Sequence, residues 1–406
     1  MTAEPATISK PASPAPSDRP ALRVALFSGN YNYVMDGPVR ALNRLVGHLE
    51  KRGHNALVFA PTTDTPAFAH QGELVPIPSL ALPGSRSEYR LGLGLSRRLR
   101  ARLDAFRPNI IHVAAPDYSG YCALKYAHAH NLPAVASFHT RFDTYPRYYG
   151  MRWFEPLLTG YMRYFYHRCE RVYAPSQSMV DELVADRIGR DIRLWARGVD
   201  HAQFNPDARD LAWRRSLGFG DDDIVIAFVG RVVREKGIDI FADAVERAHR
   251  SNAKIRALVV GDGPFRGQFQ QAMPSGVFTG YLAGRELARA YASADVFFNP
   301  SITETFGNVT LEAMASGLPA ICAAASGSKS LVVHGETGLL IADDQSAGDF
   351  ASAITAIADD PARRQRMGVA ALARAAGFDW GAILDGLIAD YCEVAAAGPD
   401  APRCKG

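Results

Sequence analysis

Residues 224–250 read IVIAFVGRVVREKGIDIFADAVERAHR: a run of six apolar residues, a glycine, a short basic turn, then a pattern with helical periodicity. Six consecutive apolar residues predict a strand covered on both faces, which belongs in a parallel sheet with helices on either side. The same grammar recurs downstream as the strand IRALVVGDGP, the helix ELARAYASA, the strand DVFFNPS, the helix TLEAMASG and the strand AICAA. It also recurs upstream. LRVALFSG from Leu22 is a strand, followed by a polar loop NYNYVMDGPVR, a helix ALNRLVGHLEKRG and the strand NALVFAP. NIIHVAA at 109–115, AVASFH at 134–139 and RVYAPS at 171–176 are further strands. The expected fold class is α/β with two doubly wound, Rossmann-like domains.

A chain of 406 residues exceeds one typical core, in line with two domains. The expected boundary lies in the polar stretch RGVDHAQFNPDARD. This gives a Pro/Ala-rich disordered tail at 1–20, a first domain at 21–198 and a second at 199–380. A C-terminal helix and tail follow at 381–406, with the helix expected to pack back on the first domain. Open α/β sheets bind ligands at the carboxyl ends of their strands, so the chemistry is expected in the cleft between the domains.

Five scattered cysteines, Cys122, Cys169, Cys322, Cys392 and Cys404, form no C-x-x-C pair, which argues against a disulfide framework or a structural zinc. No apolar run reaches the roughly 20 residues needed to span a bilayer. The first 20 residues lack the apolar segment of a secretory signal, so a cytoplasmic location is expected. Residues 1–198 hold 25 Lys and Arg against 16 Asp and Glu, while residues 199–406 hold 20 against 26. Only the first half is therefore suited to an anionic partner, and the local character of the basic region disfavours nucleic acid.

Two constellations carry the chemistry. The first is the strand end Gly230-Arg231 with Lys236 just before a helix: two cations and unpaired amides, the charge and geometry of a phosphate site. The second is ETFGNVTLEAMASGLP at 304–319, with Glu304 ahead of a helix and Glu312 inside it. Gly307 permits close backbone approach, and the amides of Phe306, Gly307 and Asn308 point into the cleft. Two carboxylates that far apart suit a ligand with hydroxyls at both ends, a sugar and a ribose. Alternatively, the cations belong to a solvated turn and Glu312 to an exposed helix face.

GRVVREKG, VVGDGP, FTGYL and PSITETFGNVTLEAMASGLP, in that order and spacing, resemble the signature of retaining glycosyltransferases of family 4, which have the GT-B architecture. The resemblance covers nearly all of residues 22–395. RLWARGVDHAQFNP at 193–206 resembles a subgroup of GDP-mannose-dependent α-mannosyltransferases and sulfoquinovosyl-diacylglycerol synthases. The resemblance implies that Arg231 and Lys236 hold the donor diphosphate and stabilise it as it leaves. Glu304 would contact the transferred sugar with the amides of Phe306 to Val309, and Glu312 would accept from the ribose. His139 matches a histidine that reaches the sugar from the first domain, Gly37 a glycine of the loop closing over the phosphates. Here MDGPVR stands where many members carry a glycine pair. Arg197 would sit near the cleft, and the base would be read by backbone near Gly261 and Tyr281.

No D-x-D stands at a strand end, and Asp221–Asp223 precede a strand, so no metal or other cofactor is expected; the nucleotide sugar is a substrate. Residues 86–107, RSEYRLGLGLSRRLRARLDAFR, carry seven Arg and Leu91, Leu95, Leu99, Leu103 and Phe106 at helical spacing. This reads as a basic amphipathic helix that binds anionic lipid through Arg97, Arg98, Arg100 and Arg102, or as a core helix with a wet basic side. An aromatic stretch at 147–171 containing Trp153 could line an acceptor entrance. The expected activity is transfer of a hexose from GDP-mannose or a UDP-hexose to a membrane lipid of diacylglycerol, phosphoinositide or ceramide type. It would take place at the inner face of the plasma membrane. A polysaccharide or soluble acceptor is the alternative, and a nucleotide-sugar 2-epimerase a more distant one. A dinucleotide dehydrogenase is disfavoured because SGNYNYVMDG lacks the G-x-G-x-x-G spacing.

Overall fold

The structure, a computed structural model, describes residues 21–34, 36–81, 89–139, 141, 152–342 and 346–398. The tail at 1–20, Arg86 to Glu88 of the basic stretch, residues 147–151 of the aromatic stretch and Cys404 lie outside the described residues.

The first half contributes β1 (Arg23–Phe27), β2 (Asn55–Ala60), β3 (Glu73–Pro76), β4 (Ser79–Ala81), β5 (Arg90–Gly92), β6 (Ile110–Val113), β7 (Ala134–Ser137), β8 (Arg171–Ala174) and β9 (Ile192–Leu194). All but β4 and β5 form one parallel sheet in the order β3-β2-β1-β6-β7-β8-β9. Its helices are α1 (Gly37–Lys51), α2 (Arg97–Phe106), α3 (Tyr118–Ala129), α4 (Glu155–Tyr166) and α5 (Gln177–Ala185).

The second half begins with α6 (Leu211–Ser216). Its six parallel strands are β10 (Ile224–Val229), β11 (Ile255–Val260), β12 (Val277–Gly280), β13 (Val296–Asn299), β14 (Ala320–Ala323) and β15 (Gly338–Ile341), ordered β12-β11-β10-β13-β14-β15. The covering helices are α7 (Ile238–Ser251), α8 (Arg266–Ala272), α9 (Gly284–Ala292), α10 (Asn308–Ala315), α11 (Ser326–Leu331), α12 (Ala347–Ala358) and α13 (Pro361–Ala375). Finally α14 (Trp380–Ala397) returns to the first half.

Each sheet has a core on both faces because successive strand residues point to opposite sides. In the second sheet Ile226 and Phe228 pack with Phe241 and Ile354 on one face. Val225 and Ala227 pack with Tyr291, Leu311 and Ala371 on the other. In the first sheet Ala25 and Phe27 meet Leu99, Leu103 and Phe165. The opposite face, with Val24 and Leu26, is closed by Leu42, Leu45 and Leu49 of α1 together with Leu384, Leu387, Ile388, Tyr391 and Val394 of α14. Burying each such large side chain contributes about 1.5–3 kcal/mol. Asp385 anchors the same helix to His48 Nε2 at 2.7 Å and to Arg52 Nε at 2.8 Å, and Glu393 pairs with Arg171 at 2.6 Å.

The chain crosses between the halves twice, and the crossings touch. Val199 N donates to Phe378 O at 3.0 Å, and a side chain on Gly198 would stand 2.8 Å from Trp380 N.

Two expectations need correction. The basic stretch is no continuous helix: Leu91 lies in β5, paired antiparallel with β4, and α2 starts only at Arg97. Gly94, at φ 81°, breaks the helical run, and Ser96 caps the new start by accepting from Leu99 N. Leu95, Leu99 and Leu103 are core, whereas Leu91 is exposed. The β1–α1 loop is also shorter than expected. Asp36 accepts from Val39 N at 2.9 Å and Pro38 fits the first turn, so Gly37 is the first helical residue.

Candidate active site

The second sheet prepares a surface of bare backbone. Gly230, Gly261 and Gly280 follow or close β10, β11 and β12 at φ 155°, 139° and 77°. A Cβ on Gly261 would stand 1.9 Å from Gly230 O, so no side chain fits there, and Gly261 N donates to Gly280 O at 2.8 Å. Arg231 follows directly and is exposed. A 3-10 turn over Arg234–Lys236 then leads into α7 through Gly237, at φ 71° and packed against Pro300. That turn sends Lys236 across the end of β13, where Nζ lies 2.6 Å from Glu304 Oε1. Glu304 is only 12% exposed in its side chain, so the pair sits in a partly dry environment.

The Glu304–Asn308 loop is held from both sides. Gly327 N donates to Glu304 O at 2.8 Å, and a Cβ on Gly327 would lie 2.5 Å from Phe306 backbone. From the first domain, Ser176 Oγ donates to Thr305 O at 2.8 Å. Phe306 is buried, so only its backbone is on offer. Gly307, at φ 93°, turns the chain into α10 without a side-chain cap. The amides of Asn308 and Val309 open the helix and have no partner within it, which leaves the positive end of the helix dipole toward the cleft.

Glu312 stands in the fifth position of α10, half-buried rather than on an exposed face. Tyr291 OH donates to its Oε2 at 3.1 Å. Burial pushes its carboxyl up to about 7; the Tyr291 hydrogen bond and the charges of Arg40 and Arg44 from α1 oppose that shift. Gly37 comes so close to α10 that a Cβ would stand 2.6 Å from Asn308 Nδ2. The two domains thus meet at the start of two helices, α1 and α10.

His139 follows β7. Its Nε2 lies 2.8 Å from Ser137 Oγ, and Arg197 Nη2 donates to its Nδ1 at 3.1 Å. Desolvation, then the Arg197 charge, then His112 hold its imidazole well below the usual range, so it is neutral. With both ring nitrogens engaged inside the protein, the group His139 turns to the second domain is its carbonyl oxygen, 3.4 Å from Thr305 Oγ1.

Lys236, Glu304, the start of α10 and Glu312 therefore lie along one edge of the second domain, with Gly37 and His139 facing it. Tyr281 is 66% exposed beside that edge. Arg97, Arg98, Arg100 and Arg102 are exposed on α2, with Arg102 paired to Glu73, and Trp153 is 78% exposed. Asp221, Asp222 and Asp223 are engaged by Arg215, Lys254 and Arg256. Among the described residues, no group of three or more His, Cys, Asp or Glu is arranged to hold a metal ion. Sequence reasoning missed Tyr291, Arg40 and Arg44, which act on Glu312, and Ser176 and Gly327, which hold the loop at Thr305 and Glu304; all come from distant segments and carry no local motif.

Residues 35–203 match the family described as Glycosyltransferase Family 4, and residues 223–360 the one described as Glycosyl transferases group 1. A GDP-mannose-dependent alpha-mannosyltransferase of Mycolicibacterium smegmatis is 36% identical over 376 residues, 91% of this chain and 97% of that protein. An alpha-monoglucosyldiacylglycerol synthase of Streptococcus pneumoniae is 28% identical over 316 residues, 74% of this chain and 70% of that one. Among solved structures, sucrose-phosphate synthase from Thermosynechococcus elongatus superposes with a TM-score of 0.76 at 22% identity, covering 92% of this chain and 99% of the other.

Proposed function

Because the chain belongs to glycosyltransferase family 4 and is a hexosyltransferase of GT-B fold, we propose that it moves a hexose from GDP-mannose or a UDP-hexose to a membrane lipid, with retention of configuration and without a metal ion. The observation that carries the reading is the Lys236–Glu304 pair at 2.6 Å. It joins a cation at the end of the first phosphate-type turn to a carboxylate at the mouth of a helix N-terminus.

In this reading the donor lies along the glycine strand ends. Its diphosphate faces Arg231, Lys236 and the amides of Asn308 and Val309. As the glycosidic bond breaks, negative charge builds on the departing phosphate, and fixed cations and amides stabilise that charge without reorganising. Glu304 accepts from hydroxyls of the transferred sugar, and Glu312 accepts from the ribose at the far end. Glu304 is held by Lys236, which suits a binding group better than a nucleophile. The carbonyl of His139 and the start of α1 at Gly37 close the site from the first domain.

The lipid acceptor is supported by the diacylglycerol named in a relative and by a surface of the first domain. Trp153, Leu157, Tyr161 and Tyr164 are exposed at helical spacing along the turn before α4 and α4 itself. Tyr164 is covered on one face by Arg168 at 3.4 Å. With the exposed arginines of α2, this surface suits peripheral contact with an anionic inner leaflet. No helix among the described residues is long and apolar enough to cross a membrane. Thermal shift against GDP, UDP and their sugars, followed by turnover of the stabilising donor with lipid or soluble acceptors, tests the reading. No stabilisation by any nucleotide would reject it.

A further inference from the structure

Arg197 is buried in the linker between the domains at 4% exposure. Arg214, the other buried arginine among the described residues, is paired with Asp295 at 2.7 Å. The hydrogen bonds of Arg197 go instead to Trp195 O at 2.7 Å and His139 Nδ1 at 3.1 Å, with the Trp195 ring 4.5 Å from its guanidinium carbon. A guanidinium only donates, so Nδ1 of His139 must accept. The single proton of the neutral ring then sits on Nε2, directed at Ser137 Oγ. The chain continues: Ser137 Oγ lies 2.9 Å from His112 Nε2, and His112 Nδ1 lies 2.9 Å from Tyr391 OH. One line of contacts thus runs from the interdomain linker, past the cleft, through β7 and β6, to α14.

We propose that Arg197 is a positioning residue for sugar transfer, acting through His139 by fixing its ring as the neutral Nε2–H tautomer. Protonating that ring would set an N–H against the guanidinium N–H and place two cations side by side, so the arrangement admits one state only. Burial lowers the Arg197 guanidinium to about 9, so it stays charged from pH 5 to 8 and keeps a titratable ring out of play, and the main chain at His139 keeps its place against Thr305. Among the described residues, the groups facing His139 come from four places. Arg197 acts from the linker, His112 from β6 and the Trp195 ring edge from beyond β9, at 6.2 Å. The second domain offers Thr305, beside a Glu304 already held by Lys236. Tyr391 acts one step removed, on His112.

The inference rests on the transferase reading, and its test separates the two. Protein labelled with ¹⁵N-histidine is examined without substrate by two-bond ¹H–¹⁵N correlation, the His139 signals being those lost in His139→Gln. Wild type is expected to show an unchanging Nε2–H pattern from pH 5 to 8. Arg197→Met, of similar length but uncharged, is expected to show mixed tautomers and a protonation step inside that range. Its kcat/KM should lose about tenfold at pH 6 relative to wild type and much less at pH 8. Arg197→Lys keeps the charge and a donor and should restore the fixed tautomer, which distinguishes positioning from packing if the Met variant folds poorly. An unshifted His139 signal and an unchanged pH profile in Arg197→Met, in a wild-type background that turns over donor, would overturn the inference alone. Absence of any donor turnover by wild type would remove the premise, and the proposal with it.

Discussion

Glu312 makes nucleotide affinity depend on pH with a sign that can be worked out. Burial pushes its carboxyl up to about 7, so it is mostly neutral below that value and mostly ionised above. Ribose hydroxyls donate, and a carboxylate accepts from them more strongly than a neutral acid does. Affinity is therefore held at pH 8 and lost as pH falls through 7. With that midpoint, the ionised fraction drops from about 0.9 at pH 8 to about 0.1 at pH 6, a weakening of about tenfold or ~1.4 kcal/mol. The nucleotide's own phosphate also titrates in this range, so the informative quantity is a difference. GDP binding by calorimetry at pH 6, 7 and 8 and constant ionic strength should weaken about tenfold more in wild type than in Glu312→Gln, which lacks the titrating group. Equal pH slopes in the two proteins would refute the assignment of Glu312 to the ribose.

Replacing Lys236 with Met should lower kcat by roughly 10²–10³-fold while nucleotide binding survives, because its charge matters most on the departing phosphate. Near-normal kcat in a folded variant would exclude that role. Glu304→Gln should raise KM for the sugar donor more than Kd for the bare diphosphate. Equal effects on both, in a donor and diphosphate titration, would place it elsewhere. Activity should be unchanged by chelator, and a strict divalent-ion requirement would displace Arg231 and Lys236 as the charge-stabilising groups. Changing Arg97, Arg98, Arg100 and Arg102 to Ser should reduce binding to anionic liposomes and steepen its loss with salt, since each charge near such a surface is worth about 1 kcal/mol. Unchanged flotation would leave α2 with its packing role only. Gly327→Ala forces a methyl onto Phe306 backbone, so it should lower the melting temperature and cut donor turnover together by displacing the Glu304 loop; wild-type values of both would refute that packing.

The inner strands β1, β2, β6, β7, β8, β10, β11, β13 and β14 were legible because each is a short, mainly apolar run, and their parallel order follows from alternation with helices. The edge strands β3, β9, β12 and β15 and the β4–β5 pair are too short or too polar to stand out and were not read. Lys236 and Glu304 were legible as members of motifs, but their 2.6 Å contact spans 68 positions and leaves no local trace. The overlong basic helix was a misreading of period: Leu91 fell on the helical register by coincidence, while Gly94 and Ser96 carried the true stop and start. Glu312 looked ambiguous because its environment comes from Tyr291, Arg40 and Arg44, three residues from two other helices. Arg197 was legible through the resemblance of its motif as a residue near the cleft, without a role. That its guanidinium turns to Trp195 O and His139 Nδ1, with no carboxylate against it among the described residues, is a property of three-dimensional burial, which a one-dimensional pattern cannot express.

The return of α14 to the first sheet has a consequence for biosynthesis. A ribosome releases residues in order, yet the face formed by Val24, Leu26 and Val58 needs Leu384, Leu387 and Tyr391 to cover it. The half that is translated first is thus the half that is sealed last. Until the final helix emerges, that face stays wet and open to chaperones, and the line from Tyr391 to His139 lacks its far end.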